Sequence, residues 1–423
     1  MTDKGGAEPV VLLPQELHPF VKLVLGDPAL QQRLGAEFDV DAFVAAAAAV
    51  AADHAIPLDL EVLSSVLRPD PLGLGRFSAA PITLERWPPE GWLPTYSVPS
   101  AGPPLFDWLW FGARQLTSSF FEDEARIASA LPLNWLLRIR TGLDALIAGA
   151  ASEPVAPLQG LIFHMSRCGS TLIAQMLGAV PGTIVASEPT PLDAILLWAW
   201  RDQLSPAEAN PAIRAMVAAL GRRRGTAARR LFIKTDAWHT ILLPLLRAAF
   251  PEVPWLYLFR DPLEVVVSHQ TMPGIQTVAG IMPEALFGIE DGIGMPPLDY
   301  TSRVFDAIGR AAIAHRSLGG GLFVEYPDLV RAAPTLIAAH FGLDLNRDDL
   351  AAMAATARRD SKAPDFAFEP DSAVKRARAS APAIAAARVL DQTYRQLAGL
   401  ARQDSDPAAT AGFGQLPSVD GGL

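Results

Sequence analysis

Short apolar runs alternate with helical patterns from about residue 156 onward. The runs have the length and the composition of buried strands. They are LIFHM (161–165), TIVA (183–186), LFIK (231–234), WLYLF (255–259) and LFVEY (322–326). Helical patterns follow at 171–178, 191–201, 238–250 and 262–270. Because strand–helix alternation brings successive strands together in the same direction, we predict an α/β fold with a parallel sheet and helices on both of its faces.

The composition excludes several classes of protein. Half of the 423 residues are hydrophobic and 19% are charged, so the chain can bury a large core. Its 35 basic and 45 acidic residues argue against general nucleic-acid binding, which needs a basic face. Cys168 is the one cysteine, and the seven histidines lack metal-binding spacing, so we expect no disulfide and no metal site. Without a signal peptide or an apolar span, we expect a cytoplasmic protein that binds no membrane.

The pattern divides the chain into four regions. Residues 1–70 are predicted to form a helical module, in which Asp39 or Asp41 caps an alanine-rich helix. Residues 71–155 combine a Pro- and Trp-rich connection with an accessory region that we expect to be helical. Residues 156–402 contain the strand–helix alternation, and residues 403–423 are expected to form a flexible tail.

The segment LIFHMSRCGSTLIAQML (161–177) joins a buried strand to a helix through the small-residue turn 166–171. A turn of this kind directs backbone N–H groups toward a ligand at a helix N-terminus, where the helix dipole favours phosphate oxygens. Four of its residues supply close approach, hydroxyl donors or positive charge, namely Gly169, Ser170, Thr171 and Arg167. The turn therefore predicts a phosphate-binding site.

A second segment, PWLYLFRDPLEVVVSH (254–269), runs from a strand through Arg260 into a helix that contains Ser268. It resembles the 3′-phosphate signature of bacterial and other sulfotransferases that use PAPS (3′-phosphoadenosine 5′-phosphosulfate). In that signature a strand-end Arg and a helical Ser bind the 3′-phosphate together. The turn 166–171 is similar to the 5′-phosphosulfate loop of the same family, in the form that has Arg in place of Lys. The resemblance covers about residues 160–380.

The resemblance implies a P-loop-type three-layer sandwich that takes PAPS as co-substrate and needs no metal. It implies nucleotide binding by Ser166, Arg167, Cys168, Gly169, Ser170, Thr171, Arg260 and Ser268. VEYPDL (324–329) is similar to the family's Tyr-Glu-Asp-Leu segment and adds Tyr326, although Pro327 departs from that pattern. The family closes a basic C-terminal loop over the 3′-phosphate, for which Lys375 and Arg376 are the candidates; a solvated basic helix end is the alternative.

A sulfotransferase also needs a cation at the leaving phosphate and a general base for the acceptor. The resemblance assigns the cation to Arg167, and Lys234 at a strand end is a candidate to reach the sulfate. Glu188 stands where tyrosylprotein-type enzymes carry their Glu, whereas Asp236 stands where the cytosolic enzymes carry a catalytic His. Asp236 could instead cap a helix, and His239 is a weaker third candidate. We favour Glu188 as the base.

The acceptor is expected at the Gly-, Met- and Pro-rich insertion 271–299, because long loops often bind ligands. Its apolar side chains would suit an adaptable pocket, namely Met272, Met282, Phe287 and Met295. Residues 25–67 resemble the Nif-type leader domain found on precursors of ribosomally made peptide natural products. That resemblance adds a peptide to the small molecules that are possible acceptors.

The sequence thus predicts sulfuryl transfer from PAPS to a hydroxyl or an amine by in-line attack with a carboxylate base. Two alternatives remain open. A nucleotide-dependent kinase of the P-loop superfamily would need Gly at His164 and Lys at Ser170, and neither is present. A non-catalytic protein that binds PAP, the desulfated donor, would use the same nucleotide-binding residues. The oligomeric state is not predicted.

Overall fold

A computed structural model describes residues 13–67, 81–98, 100, 102–225, 227–359 and 371–404, with the backbone alone at 330–333. Residues 1–12 lie outside the described residues, as do residues 68–80, which include the start of the Pro- and Trp-rich connection, and the expected tail from residue 405. The chain divides into two compact units. The first consists of Met1–Leu158 and Gly182–Leu231, and the second of Gln159–Pro181 and Phe232–Leu423.

The N-terminal part of the first unit is helical, as the sequence predicts. Its helices are α1 (His18–Gly26), α2 (Pro28–Gly35), α3 (Val40–Asp53) and α4 (Leu60–Val66). Asp27, Asp39 and Asp59 cap the last three of them by accepting hydrogen bonds from N–H groups of the first turn. Asp39 and not Asp41 caps α3, because Asp39 directly precedes the first helical residue.

The expectation that the accessory region within 71–155 is helical is wrong in part, because the region also contributes strands to a small four-stranded sheet. Its strands are β1 (Ile82–Leu84), β2 (Trp92–Val98), β3 (Leu105–Trp110) and β4 (Ile139–Thr141), in the order β1-β4-β3-β2. Phe106, Trp108 and Trp110 are buried, and the residues between them are partly exposed. This two-residue period is that of a strand. Helices α5 (Phe121–Ser129), α6 (Pro132–Leu136) and α7 (Leu143–Gly149) follow β3.

The predicted parallel sheet is present. Its strands are β5 (Leu158–His164), β6 (Thr183–Ser187), β7 (Arg230–Lys234), β8 (Trp255–Phe259) and β9 (Gly321–Glu325). They run parallel in the order β6-β7-β5-β8-β9. β5 pairs with β8 with His164 opposite Leu258, and β8 pairs with β9 with Phe259 opposite Glu325. The α/β fold class, with a parallel sheet that follows a helical N-terminal region, is thereby confirmed.

Helices connect these strands and follow them. They are α8 (Ser170–Gly178), α9 (Thr190–Trp200), α10 (Pro206–Leu220), α11 (Leu243–Ala249), α12 (Pro262–Thr271), α13 (Pro297–Ala314), α14 (Tyr326–His340), α15 (Arg347–Thr356), α16 (Ser372–Ala377), α17 (Ala381–Ala387) and α18 (Asp391–Asp404). Short 3-10 helices include Ala237–Leu242, Ile275–Thr277, Glu284–Phe287 and Gly292–Gly294. Within the part of the chain that the structure describes, no helix has both the length and the apolar character needed to cross a bilayer.

Gly160, in β5, tests how tightly the strand that leads into the turn is packed. A Cβ atom at this position would overlap the rings of Phe341 and Phe232. We expect Gly160→Ala to lower the free energy of unfolding by about 1–3 kcal/mol, because overpacking displaces buried rings. Gly399→Ala is the control, since a Cβ atom there meets only the end of the Arg402 side chain at 4.0 Å.

Gly399 lies inside α18, so its replacement by Ala should raise the free energy of unfolding by roughly 0.5–1 kcal/mol. Thermal and urea denaturation of the two variants measures both effects. Equal and small shifts in the two variants would contradict the tight packing of β5 against Phe341.

Candidate functional site

The strands β5 and β8 end at the same edge of the sheet. Their register sets His164 opposite Leu258. The N–H of Met165 and the thiol of Cys168 both donate to the carbonyl of Leu258, at 2.8 and 3.3 Å. Arg260 follows β8 directly. The two segments that the sequence singles out for phosphate binding therefore leave the sheet side by side, at the carboxyl ends of parallel strands, where ligands of open α/β sheets bind.

The turn between β5 and α8 has an unusual backbone. Ser166 and Arg167 have φ angles of 73° and 54°, and Gly169 has a φ of 90°. Positive φ is uncommon in residues other than glycine and costs about 1–3 kcal/mol each. A Cβ atom on Gly169 would also come within 3.0 Å of the Tyr326 ring, so glycine is required there on two grounds. Ser170 and Thr171 form the buried start of α8, whose dipole favours anions.

Arg167 connects the turn to α12. Its Nε donates to Oγ of Ser268 at 2.8 Å, and its Nη1 lies 3.9 Å from Sδ of Met272. Burial lowers the pKa of Arg167; the charge of Asp371 opposes this effect and the charge of Arg260 adds to it. The resemblance assigns Arg167 to one end of the nucleotide and assigns Ser268 and Arg260 to the other. In the structure, Arg167 bonds to Ser268, and the charge of Arg260 lowers the pKa of Arg167.

Arg260 is buried, and carboxylates from two elements surround it. Its Nε donates to Glu264 at 2.6 Å, and its Nη2 donates to Asp371 at 2.6 Å and to Ser372 at 3.0 Å. The guanidinium lies 4.1 Å from the centre of the Tyr326 ring. Burial alone would lower the pKa of Arg260, but Asp371 and Glu264 outweigh it and raise that pKa. A buried cation needs such partners, because an unpaired one is strongly destabilising.

The start of α16 lies against Arg260. Lys375 pairs with Asp371 at 2.8 Å, and Arg376 donates to Glu264 at 3.0 Å and to Asp261 at 3.3 Å. Burial would raise the pKa of Asp371, but hydrogen bonds from Lys375 and Arg260 lower it. Lys375 and the largely exposed Arg376 therefore belong to a charged group around Arg260. We call this group the basic cluster; it consists of Arg167, Arg260, Lys375 and Arg376.

Sequence reasoning missed the acidic partners of the basic cluster. Glu264 follows Arg260 by four residues on a helix, and this spacing was a usable signal for an ion pair. Asp371 is 111 residues away from Arg260 and carries no local signal.

The structure assigns Cys168 a role in the core. Its side chain is buried, and burial raises the pKa of its thiol to about 12. Its thiol donates to the carbonyl of Leu258, and the raised pKa keeps it protonated at neutral pH.

The two candidate bases differ in their surroundings. The carboxylate of Asp236 accepts the N–H of Ala237 at 2.6 Å, and Nδ1 of His239 accepts the N–H of Asp236 at 3.3 Å. This is a capping box at the start of the 3-10 helix Ala237–Leu242. Glu188 belongs to the first unit, directly after β6, and has a φ of 54°. Lys234 ends β7 and is fully buried.

The acceptor candidates in the insertion 271–299 fall into two groups. Met282 and Phe287 are buried, whereas Met272, beside Arg167, is 59% exposed. Met295 is partly exposed. Within the described ranges, no group of three or more His, Cys, Asp or Glu residues could hold a metal ion.

No protein-family model matches the chain, and no curated protein matches it. The sulfotransferase domain of the olefin synthase from Synechococcus PCC 7002 is 18% identical over 56% of this chain and 96% of that domain, with a TM-score of 0.34. The sulfotransferase domain of the curacin biosynthetic pathway is 13% identical over 57% of this chain and 99% of that domain, with a TM-score of 0.35. Mouse sulfotransferase SULT7A1, complexed with PAP, is 12% identical over 63% of this chain and 92% of that chain, with a TM-score of 0.30. Because these TM-scores are below 0.5, the grouping of the site residues rests on their own geometry.

The burial of Cys168 predicts its reactivity. In the native protein at pH 8, we expect Ellman's reagent to label Cys168 at least about a hundredfold more slowly than in 6 M guanidinium, because the side chain is buried and its raised pKa leaves the thiol hardly ionised. Cys168→Ser provides the blank. Rapid labelling of the native protein would contradict the core role of this thiol.

Proposed function

We propose that this protein is a sulfotransferase that uses PAPS to sulfate a hydroxyl or an amine of a small molecule or a peptide. The observation that carries the proposal is the hydrogen bond from Nε of Arg167 to Oγ of Ser268, at 2.8 Å. It joins the turn that resembles a 5′-phosphosulfate loop to the helix that resembles a 3′-phosphate grip, across 101 positions of the sequence. A donor with an anionic group at each end needs two such sites close together, and this contact supports that arrangement.

The residues at both ends fit PAPS. At the turn, the N-terminus of α8, the hydroxyls of Ser170 and Thr171 and the charge of Arg167 suit a phosphosulfate. At the other end, the carboxylate of Asp371 is bonded to both Arg260 and Lys375, so these cations already hold an oxyanion there. In our proposal, the 3′-phosphate takes the place of this carboxylate. Ser166, Gly169, Ser268, Tyr326 and Arg376 complete the proposed nucleotide site.

In the proposed reaction, a small number of side chains each have one role. When bound, PAPS supplies the sulfuryl group on a phosphate that can leave. Arg167 stabilises the charge that develops on the leaving phosphate, and Lys234 lies at the end of β7 as the candidate for the sulfate. The acceptor meets the turn on the side of Met272, at the start of the insertion 271–299. The proposal includes a cytoplasmic location and involves neither a membrane nor a nucleic acid.

Glu188 is the proposed general base. The backbone of Asp236 and its carboxylate serve the capping box, which gives that residue a structural role. Glu188 has a left-handed backbone conformation although it is not glycine. Strain of this kind is concentrated at functional sites, where the surroundings hold a side chain in a required position. This observation supports Glu188 as the residue that accepts the acceptor's proton.

Nucleotide binding is tested by isothermal titration of PAP without metal. We expect wild type to bind and Arg260→Ala to lose at least about a hundredfold in affinity, since a charged hydrogen-bonding partner is removed. Ser268→Ala should lose roughly tenfold and leaves the buried ion pairs of Arg260 intact. Arg310→Ala is the matched control, because Arg310 also pairs with a carboxylate four residues away but is 66% exposed.

An equal loss in Arg310→Ala would show that the effect comes from net charge and not from the site. Folded wild type that binds no PAP would overturn the sulfotransferase proposal. Binding of ATP only with Mg²⁺ would then favour the kinase alternative.

Turnover distinguishes the two carboxylates and tests whether the protein is an enzyme. With radiolabelled PAPS and a panel of phenols, alcohols, amines and peptides, Glu188→Gln should reduce sulfation at least about a hundredfold, as expected for loss of a general base. Its affinity for PAP should be unchanged. Asp236→Asn retains an oxygen that can cap the helix and should retain most of the activity. Tight binding of PAP without turnover of any acceptor would favour the non-catalytic alternative.

A further inference from the structure

Two histidines hold Ser166, the first residue of the strained turn. His164, at the end of β5, accepts the backbone N–H of Ser166 at Nδ1, at 2.9 Å. His269, in α12, lies with Nε2 3.2 Å from Oγ of Ser166. Both histidines are buried, with 4% and 5% of their surface exposed. The backbone and the side chain of Ser166 are therefore held from two separate elements.

The backbone partners of these rings determine their tautomers. Nδ1 of His164 faces an N–H donor, so it carries no proton, and Nε2 donates to the carbonyl of Thr235 at 2.9 Å. Nδ1 of His269 accepts the N–H of Gly274 at 3.1 Å, so its Nε2 carries the proton and donates to Ser166. Each ring thus spans two chain segments, and each needs its neutral form to do so.

The turn requires such support. Ser166 and Arg167 are consecutive residues with positive φ, and neither is glycine. A conformation of this kind persists only where the surroundings over-determine it. Two consecutive residues of α12 contact these two residues of the turn: Ser268 accepts from Arg167, and His269 donates to Ser166. The ring of His269 also packs on Phe305, with centroids 4.7 Å apart, which restricts its rotation.

We propose that His164 and His269 are positioning residues that hold Ser166, and through it Arg167, in the conformation that binds the phosphosulfate. This inference rests on the proposed function and adds to it two residues to which the sequence analysis assigned no role. His269 has a further consequence. Because its Nδ1 accepts from Gly274, at the start of the insertion 271–299, it connects the nucleotide turn to the side where the acceptor is proposed to bind.

The two positions respond in opposite ways to the same pair of substitutions. The amide oxygen of Asn can replace Nδ1 of a histidine, whereas the amide nitrogen of Gln can replace the Nε2 donor. His269→Gln therefore keeps the bond to Ser166, and His269→Asn loses it. At position 164 the order is reversed, because His164→Asn keeps the acceptor for the N–H of Ser166 and His164→Gln loses it.

Hydrogen exchange of the peptide 163–172, measured by mass spectrometry in the ligand-free protein, reports the order of the turn directly. We expect His269→Asn and His164→Gln to exchange about three- to tenfold faster than wild type, the effect of one lost hydrogen bond. Both should weaken PAP binding by a similar factor. His269→Gln and His164→Asn should stay within about twofold of wild type.

Two controls separate positioning from general damage. His340 is a half-buried histidine of the second unit whose Nε2 lies 2.9 Å from the carbonyl of Trp255. Its Asn and Gln variants should change melting temperature without changing exchange in 163–172. Ser166→Ala removes the partner of His269, so its effect and that of His269→Asn should not add in the double variant.

The inference is overturned if the Asn and Gln variants of folded protein show equal exchange at each position, or if the His340 variants change the turn as much. It is also overturned if His269→Asn and His164→Gln exchange faster than wild type, as expected, but bind PAP as tightly as wild type. Hydrogen exchange is measured without ligand, so the two proposals can fail separately. If the variants show the expected exchange pattern but wild type binds no PAP, the sulfotransferase proposal is refuted, and with it the phosphosulfate role of the turn. A structural role of the two histidines would remain.

Discussion

The rest of the site depends on the carbonyl of Leu258, which accepts hydrogen bonds from both sides of the strained turn. It accepts the N–H of Met165, which continues the pairing of β5 with β8, and then the thiol of Cys168, after the chain has turned. Only two residues, Ser166 and Arg167, separate the two donors, so the chain must change direction sharply between them. This constraint explains why Ser166 and Arg167 adopt positive φ and why the turn needs side chains from other elements to hold it.

Charge compensation shapes the rest of the site. Arg260 is buried beside the turn, and a buried guanidinium without partners would be strongly unfavourable. Glu264 and Asp371 provide the partners, and both carboxylates also bind cations of α16. The result is a basic cluster that is already paired with oxyanions, in a chain whose net charge is −10. A phosphate can displace the carboxylate of Asp371, whose side chain is 48% exposed, more easily than it can displace the buried carboxylate of Glu264.

Local patterns were reliable where one period dominated. The apolar runs from Leu161 to Tyr326 predicted the strands of the parallel sheet to within a few residues, because each run is buried on both faces and is bounded by a helix signal. The prediction was wrong for the strand Leu105–Trp110, which belongs to the accessory region that we expected to be helical and which contains Trp108 and Trp110. Both residues are equally compatible with a two-residue period, and only the pairing of β3 with β2 and β4 decides between the two readings. The roles assigned to individual site residues stay predictions.

The sequence by itself determined the strand–turn–helix units, the position of the turn 166–171 and the presence of Arg260 at a strand end, because these follow from residue types a few positions apart. Only the tertiary structure decided which groups meet there. Arg260 and Ser166 each have a local partner, but each also bonds to a residue more than 100 positions away, Asp371 for Arg260 and His269 for Ser166. Contacts of this kind depend on strand order and register, and no local period encodes them. Local sequence therefore determines which residue types the site contains, and the tertiary fold determines how they are arranged.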